Sequence, residues 1–204
     1  MIKAGSRQET LNNSSVANFA AQGALNGTAK YSKDKIDELV ESFGGKLDVN
    51  VSRELTQFTL SFEPQFLTQA VELLSQVVLH PTYETVQVEA LKASIHKAAS
   101  PMDPYVISTE SVHYTAFRDH FLGQPSHGIR DVVYSITPEA IKEYHSNFYV
   151  GKNIVISGAG DISAEALKTE VGGHFGSVPA SRITEVPNSE QPYLTPSLLY
   201  QRDD

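Results

Sequence analysis

The sequence predicts an α+β fold, in which a mixed, largely antiparallel sheet is covered by helices on one side. One observation is a hairpin pattern: Leu47, Val49 and Val51 alternate with polar residues, and residues 56–62 alternate again after a short polar link. The other is the apolar spacing of helices over most of the remaining chain. No internal repeat of roughly 20–50 residues accompanies these patterns, so a solenoid is not expected.

In the first third of the chain, the end of a strand at Ile2 precedes a polar loop, whose residues 12–15 offer capping oxygens to the next helix. That helix, 16–25, is rich in alanine and is therefore predicted to be buried against close neighbours. A second helix is capped by Ser32 or Asp34 and ends before two glycines, since glycine accepts a positive φ. Its apolar face consists of Ile36, Leu39, Val40 and Phe43.

Proline and capping side chains delimit the later helices. Pro64 begins the helix after the hairpin, Thr137 is the N-cap of another, and Ser163 caps the last one, which runs to Phe175. The other predicted elements are helices at 65–79, 84–99, 105–121 and 138–148, a short buried strand at 154–156, a proline-rich loop at 176–196 and a last strand at 198–200.

Composition and charge exclude several classes of function. Forty per cent of the 204 residues are hydrophobic, which is enough for a sizeable core. The net charge of −8 disfavours a dedicated nucleic-acid binder, because phosphate contacts require clustered Lys and Arg. The absence of Cys excludes disulfides, thiolate zinc ligands and a Cys nucleophile. No apolar run approaches the roughly 20 residues of a membrane-spanning helix.

Several short motifs occur in the order expected of one known family, over nearly the whole chain. They are IKAGSRQET at 2–10, VANF at 16–19, GGKL at 44–47, LGQP at 122–125, YHSNFY at 144–149 and SGAGDI at 157–162. With these motifs the sequence resembles the N-terminal domain of the inverzincin-type (M16) peptidase family. That family includes the mitochondrial processing peptidase subunits and the core proteins of respiratory complex III.

Active members of this family carry H-x-x-E-H on a helix and one more Glu far downstream. The two His and the distant Glu bind zinc there, and the Glu inside the motif takes a proton from the zinc-bound water. The resemblance places Asn18 and Gln22 at the two His positions, Ala21 at the general base, and Ala98, followed by Ala99, at the distant ligand. It therefore implies a degenerate site with no catalytic residue, no metal and no cofactor: a pseudo-peptidase.

The histidines of the chain are the remaining candidates for a metal site: His80, His96, His113, His120, His127, His145 and His174. Most lie on separate predicted elements, and His113 and His120 would stand two turns apart on one helix, a poor spacing for a shared ion. We interpret all seven as surface or capping residues. The pair Arg53-Glu54 is interpreted as a structural ion pair at a strand end rather than as a peptide-binding site.

The resemblance implies two functions. In the first, the chain is a non-catalytic core protein of the cytochrome bc complex, on the matrix side of the mitochondrial inner membrane, and pairs with a homologous subunit. In the second, it is the non-catalytic, presequence-binding subunit of the mitochondrial processing peptidase, where a negative chain suits positively charged presequences. An active metalloprotease is the third and least favoured alternative. We expect no nucleic-acid partner and no direct membrane span.

Domain boundaries follow from the same resemblance. In the family, a strand hairpin precedes the segment that begins at Ile2, and a second, similar domain follows. We therefore expect residues 2–178 to be most of one domain and 179–204 to be a linker and the start of the next strand. A separate chain, or further sequence of the same gene, is expected to supply the remaining strands and the second domain, since an exposed sheet edge invites pairing.

Overall fold

The computed structural model describes residues 1–99, 103–117 and 120–181, and it confirms the predicted α+β class. Two strands lie between the second and third helices of the described part. The helices are α1 (Val16–Gly23), α2 (Lys33–Ser42), α3 (Leu67–Leu79), α4 (Thr85–Ala98), α5 (Pro104–Phe117), α6 (Pro138–Phe148) and α7 (Ala164–Phe175); the strands are β1 (Lys46–Val51) and β2 (Thr56–Ser61). None of the described helices is long and apolar enough to cross a membrane.

Helix α1 lies at the centre of the hydrophobic core. It packs against α4 and α6, and its residues Val16, Ala17, Phe19, Ala20 and Ala21 are fully buried. Small side chains allow the neighbouring helices to approach it closely, so the prediction of a buried, alanine-rich helix is confirmed. It ends at Gly23, slightly earlier than predicted, and a short 3₁₀ turn follows at Ala24–Asn26.

Three predicted helix caps are present. The hydroxyls of Ser32, Thr137 and Ser163 accept hydrogen bonds from backbone amides three residues further along. Each contact lies within one turn of chain, which is why the local sequence predicts it. The predicted cap of α1 is wrong, because Ser15 has a φ of 86° and its side chain makes no capping hydrogen bond.

The sheet is organised around Ile2. Strands β1 and β2 form the predicted antiparallel hairpin, with Val49 opposite Phe58. Ile2 forms antiparallel bridges to Thr56 on one side and to Ile154 on the other, so the predicted strand end is present. The predicted buried strand at 154–156 is wrong in part: only Ile154 forms a bridge, and Val155 is 57% exposed.

The end of one predicted helix, at residues 105–121, differs from the prediction. Helix α5 ends at Phe117 rather than at Phe121, and Phe121–Gly123 forms a separate 3₁₀ turn. None of the α5 residues is fully buried, so the helix lies on the surface. The predicted strand at 198–200 lies outside the described residues.

Candidate functional site

Helix α1 carries three of the four positions at which the sequence analysis predicts a degenerate zinc site. Asn18 and Gln22 are one turn apart and both half-buried, so their side chains share one face of the helix. Ala21 is fully buried. Ala98 is the exposed last residue of α4, the helix that packs against α1. The structure therefore groups Asn18, Ala21 and Gln22 and places Ala98 at the end of the neighbouring helix.

Gln22 lines a groove of about 480 Å³ on the protein surface, between α1, α2, the start of β1 and α4. Charges of both signs line the groove, from Lys33 and Lys46 to Asp37 and Glu41. The glutamine amide can donate and accept hydrogen bonds, as a peptide backbone requires. It offers neither a nucleophile nor a proton acceptor for hydrolysis.

Asn18 belongs to a network of polar contacts that the sequence analysis missed. Its Nδ2 donates to the carbonyl of Ser126 at 3.1 Å, and Ser126 Oγ donates to Glu110 Oε1 at 2.9 Å. Arg53 Nη2 pairs with Glu110 Oε2 at 2.6 Å, and the two side chains are only 13% and 18% exposed. The network ties α1 to α5 and to the turn of the hairpin, and it holds the Asn18 amide as a donor to protein.

The predicted ion pair of Arg53 with Glu54 is wrong. Glu54 instead pairs with Arg7 at 2.6 Å, while Arg53 reaches α5 and also donates from Nε to the carbonyl of Leu122 at 3.0 Å. Both residues lie in the bend between β1 and β2, where each side chain meets a different part of the chain. Glu110 lies 57 residues from Arg53, and no local pattern identifies it as the partner.

Helix α1 is capped by Glu9 and not by residues 12–15, which the sequence predicted as caps. Its Oε2 accepts from the Ser15 amide at 3.0 Å and its Oε1 accepts from the Ala17 amide at 2.9 Å. The carboxyl group is fully buried, and burial raises the pKa of Glu9 to about 8, although these amides and the Ser14 side chain act to lower it. Glu9 thus fixes the start of the helix that carries Asn18, Ala21 and Gln22.

The histidines lie on different elements of the fold. His96 is half-buried and accepts a hydrogen bond from the exposed Arg130 Nε at 2.9 Å, and His145 Nε2 is 2.8 Å from the carbonyl of Val78. His113 is on α5, but His120 lies beyond the end of that helix, where its Nδ1 accepts from the Leu122 amide. Within the described ranges, no group of three or more His, Asp or Glu residues has the arrangement of a metal site.

Two family models match the chain. The model described as insulinase, peptidase family M16, covers residues 1–128, which is more than half of the chain. The chain belongs to peptidase family M16. A second model, described as the peptidase M16 inactive domain, covers residues 135–204. The resemblance inferred from the sequence motifs is therefore confirmed at the level of the family.

Two proteases of known structure share this fold. A protease from Helicobacter pylori superposes with a TM-score of 0.85 at 19% identity, over 95% of this chain and 47% of that chain. The periplasmic protease PqqL from Escherichia coli superposes with a TM-score of 0.80 at 21% identity, over 95% of this chain and 22% of that chain. At these identities the likeness concerns the fold alone.

Curated relatives include subunits of the mitochondrial processing peptidase. The rat alpha subunit is 30% identical over 165 residues, which is 78% of this chain and 32% of the relative. The human beta subunit is 27% identical over 205 residues, which is 100% of this chain and 42% of the relative. This M16 chain thus spans 32–42% of the length of these relatives.

Proposed function

We propose that this M16 chain is a non-catalytic subunit that acts by pairing with a second M16 chain. The observation that carries the proposal is the set of residues grouped on α1. Where the family motif has two His and a Glu, this helix has Asn18, Gln22 and the buried Ala21. The fourth position falls on Ala98.

The chemistry of these four side chains does not fit the zinc ion of active M16 members. Zinc in proteins is bound by Cys, His and carboxylate groups, whereas Asn18 and Gln22 offer neutral amides and Ala98 offers a methyl group. Ala21 cannot accept a proton from water, and loss of a general base alone costs roughly 10²–10⁴ in rate. Hydrolysis by the family mechanism has neither a metal site nor a base at these positions.

The names of the curated relatives support the proposal that this chain pairs with a partner of the same family. The rat relative is named as an alpha subunit and the human relative as a beta subunit of mitochondrial processing peptidases. By analogy, this chain pairs with a homologous M16 subunit, and the mitochondrion is the compartment proposed for it. The net charge of −8 suits binding of a positively charged presequence, which makes a non-catalytic processing subunit one form of the proposal.

The other form is a core protein of the cytochrome bc complex, on the matrix side of the mitochondrial inner membrane. The replaced metal motif and the Gly44-Gly45-Lys46-Leu47 pattern resemble a core protein more than a catalytic subunit. In that setting the chain contributes contacts rather than chemistry, and the partner subunits hold it in a large respiratory assembly.

Affinity purification from detergent-solubilised mitochondria separates these forms. A tagged chain that copurifies with cytochrome b and a second M16 subunit supports the core protein. Copurification with a catalytic M16 subunit, together with faster presequence cleavage when the two are mixed, supports the processing subunit. A chain recovered alone with stoichiometric zinc and endopeptidase activity overturns the proposal in both forms.

A further inference from the structure

The segment that links α1 to α2 contains the one Asn-Gly pair of the sequence, Asn26-Gly27. An asparagine side chain can lose ammonia when the backbone nitrogen of the next residue attacks its amide carbon. A side chain on that next residue hinders the attack. Glycine has no side chain, and its backbone also rotates more freely than that of any other residue. Asn26 therefore has the most favourable following residue of all the asparagines in the chain.

The structure leaves the Asn26 side chain unrestrained. Asn26 is half-buried and lines the groove beside Gln22, and together with Gly27 it lines a second groove beside Thr82, so solvent is adjacent to both residues. In the part of the chain that the structure describes, its side-chain amide has no hydrogen-bond partner. Asn26 is the last residue of a 3₁₀ turn, and the Gly27 amide does not close that turn with a capping hydrogen bond. Few hydrogen bonds therefore oppose the rotation that brings the amide carbon and the Gly27 nitrogen together.

The other asparagines of the described residues lack this combination. Each of them is followed by a residue that has a side chain. The side chains of Asn13, Asn18 and Asn153 are also held by hydrogen bonds to the protein. Asn13 is the nearest comparison, because Ser14 is a small neighbour, but its Oδ1 accepts hydrogen bonds from Thr10. Sequence and structure thus single out Asn26.

We propose that Asn26 is a site of spontaneous deamidation. The Gly27 nitrogen loses its proton to water and forms a bond to Asn26 Cγ, the Cγ–Nδ2 bond breaks, and the departing nitrogen takes up a proton and leaves as ammonia. The cyclic imide that results then adds one water molecule and opens at either of its carbonyls, to give aspartate or isoaspartate. No oxidant or reductant takes part. In isoaspartate the backbone runs through the side-chain carbon atoms and is longer by a methylene group.

The added methylene group falls where the chain is tied to the start of α4. Gln87 Nε2 donates to the Asn26 carbonyl at 2.9 Å, and the Thr82 amide donates to the Gly27 carbonyl at 3.2 Å. Both hydrogen bonds depend on the ordinary spacing of the backbone, so isoaspartate breaks them and lowers the stability of the link between α1 and α4. This change does not depend on the proposed loss of catalysis, because neither Asn26 nor Gly27 belongs to the degenerate motif.

Mass spectrometry of the full, folded chain tests the proposal after incubation in mildly alkaline buffer. We expect unmodified Asn26 to be lost with time and replaced by aspartate and isoaspartate, which electron-transfer fragmentation locates and distinguishes. Asn13 is the internal control and should stay unchanged over the same period. If Asn26 does not convert, or if Asn13 converts equally fast, the proposal is overturned.

Two variants separate the new charge from the longer backbone, and circular dichroism establishes that both fold. Asn26→Asp carries the carboxylate on an ordinary backbone, and Asn26→Gln forms the cyclic imide far more slowly because its ring is larger. We expect incubated wild type, rich in isoaspartate, to unfold at a lower temperature than fresh Asn26→Asp, and Asn26→Gln to keep its unfolding temperature on incubation. Equal unfolding temperatures of the first two proteins overturn the proposed break in the link to α4. An equal loss in incubated Asn26→Gln also overturns it, because it assigns the loss to another residue.

Discussion

The carboxylate of Glu9 accepts a hydrogen bond from the backbone amide of Ala17 at 2.9 Å, and so a side chain in the preceding loop caps the central helix of the core. A buried carboxyl group in this position links the stability of α1 to pH. The ionised form gains the two helix amides as donors, but it loses the hydration of an exposed carboxylate. Burial has the larger effect, since the pKa of Glu9 rises to about 8.

The first prediction concerns the pH dependence of stability. The unfolded chain ionises Glu9 near 4.5 and the folded chain near 8, so the folded state binds more protons between these values. The free energy of unfolding should therefore fall as pH rises through this window, by up to about 1.4 kcal/mol per pH unit from this group. Urea denaturation at pH 5 and pH 8 measures the fall, and Glu9→Gln should reduce it.

The exposed Glu54 supplies the control for that experiment. Glu54→Gln removes a carboxylate whose side chain is 60% exposed and should leave the pH dependence close to that of the wild type. If the Glu9→Gln protein loses as much stability between the two pH values as the wild type does, Glu9 is not the group responsible.

The second prediction compares two ion pairs of equal length. The Arg53–Glu110 and Arg7–Glu54 contacts are both 2.6 Å, but Glu110 is 18% exposed and Glu54 is 60% exposed. Glu110→Ala leaves Arg53 in a poorly hydrated site and also removes the acceptor of Ser126, so it should cost about 2 kcal/mol. Glu54→Ala should cost less than about 1 kcal/mol. Similar midpoints of chemical denaturation for the two variants would contradict this reading.

The third prediction concerns two glycines with positive φ. Gly128 has a φ of 90°, and a Cβ added there overlaps Ser15 Oγ, whereas Gly160 has a φ of 133° and open space around it. Gly128→Ala therefore combines backbone strain with a clash against the start of α1, and it should cost at least about 2 kcal/mol more than Gly160→Ala. Thermal unfolding of the two proteins, side by side, measures the difference; equal losses would show that the clash is relieved without cost.

The fourth prediction concerns metal binding on α1. Asn18→His with Gln22→His places two imidazoles one turn apart on a partly exposed face, and Ala98→Glu adds the distant carboxylate. The triple variant should retain zinc after dialysis, measured by elemental analysis, while the wild type and the Asn18→His single variant should not. Ala21 is left unchanged, because a Glu at this buried position would destabilise the core. Stoichiometric zinc in the wild type would contradict the proposed loss of the site.

The sequence predicts contacts between residues close together in the chain well. The caps at Ser32, Thr137 and Ser163 and the hairpin of β1 and β2 depend on residues close together in the chain, and all are present in the structure. The cap of α1 was wrong because Glu9, six residues from the Ser15 amide that it binds, is outside the usual capping range. The predicted burial of Val155 in a strand at 154–156 is wrong, because apolar character alone does not decide which face of a segment is covered.

The sequence by itself determined the family, the α+β class and most helices, because periodicity, capping and motif order are properties of neighbouring residues. Only the tertiary structure decided which distant groups meet: Arg53 with Glu110, Asn18 with Ser126, and Ile2 with both Thr56 and Ile154. Side chains remote in sequence are brought together by burial of the core, and the free energy of that burial depends on the whole arrangement of elements rather than on any single segment.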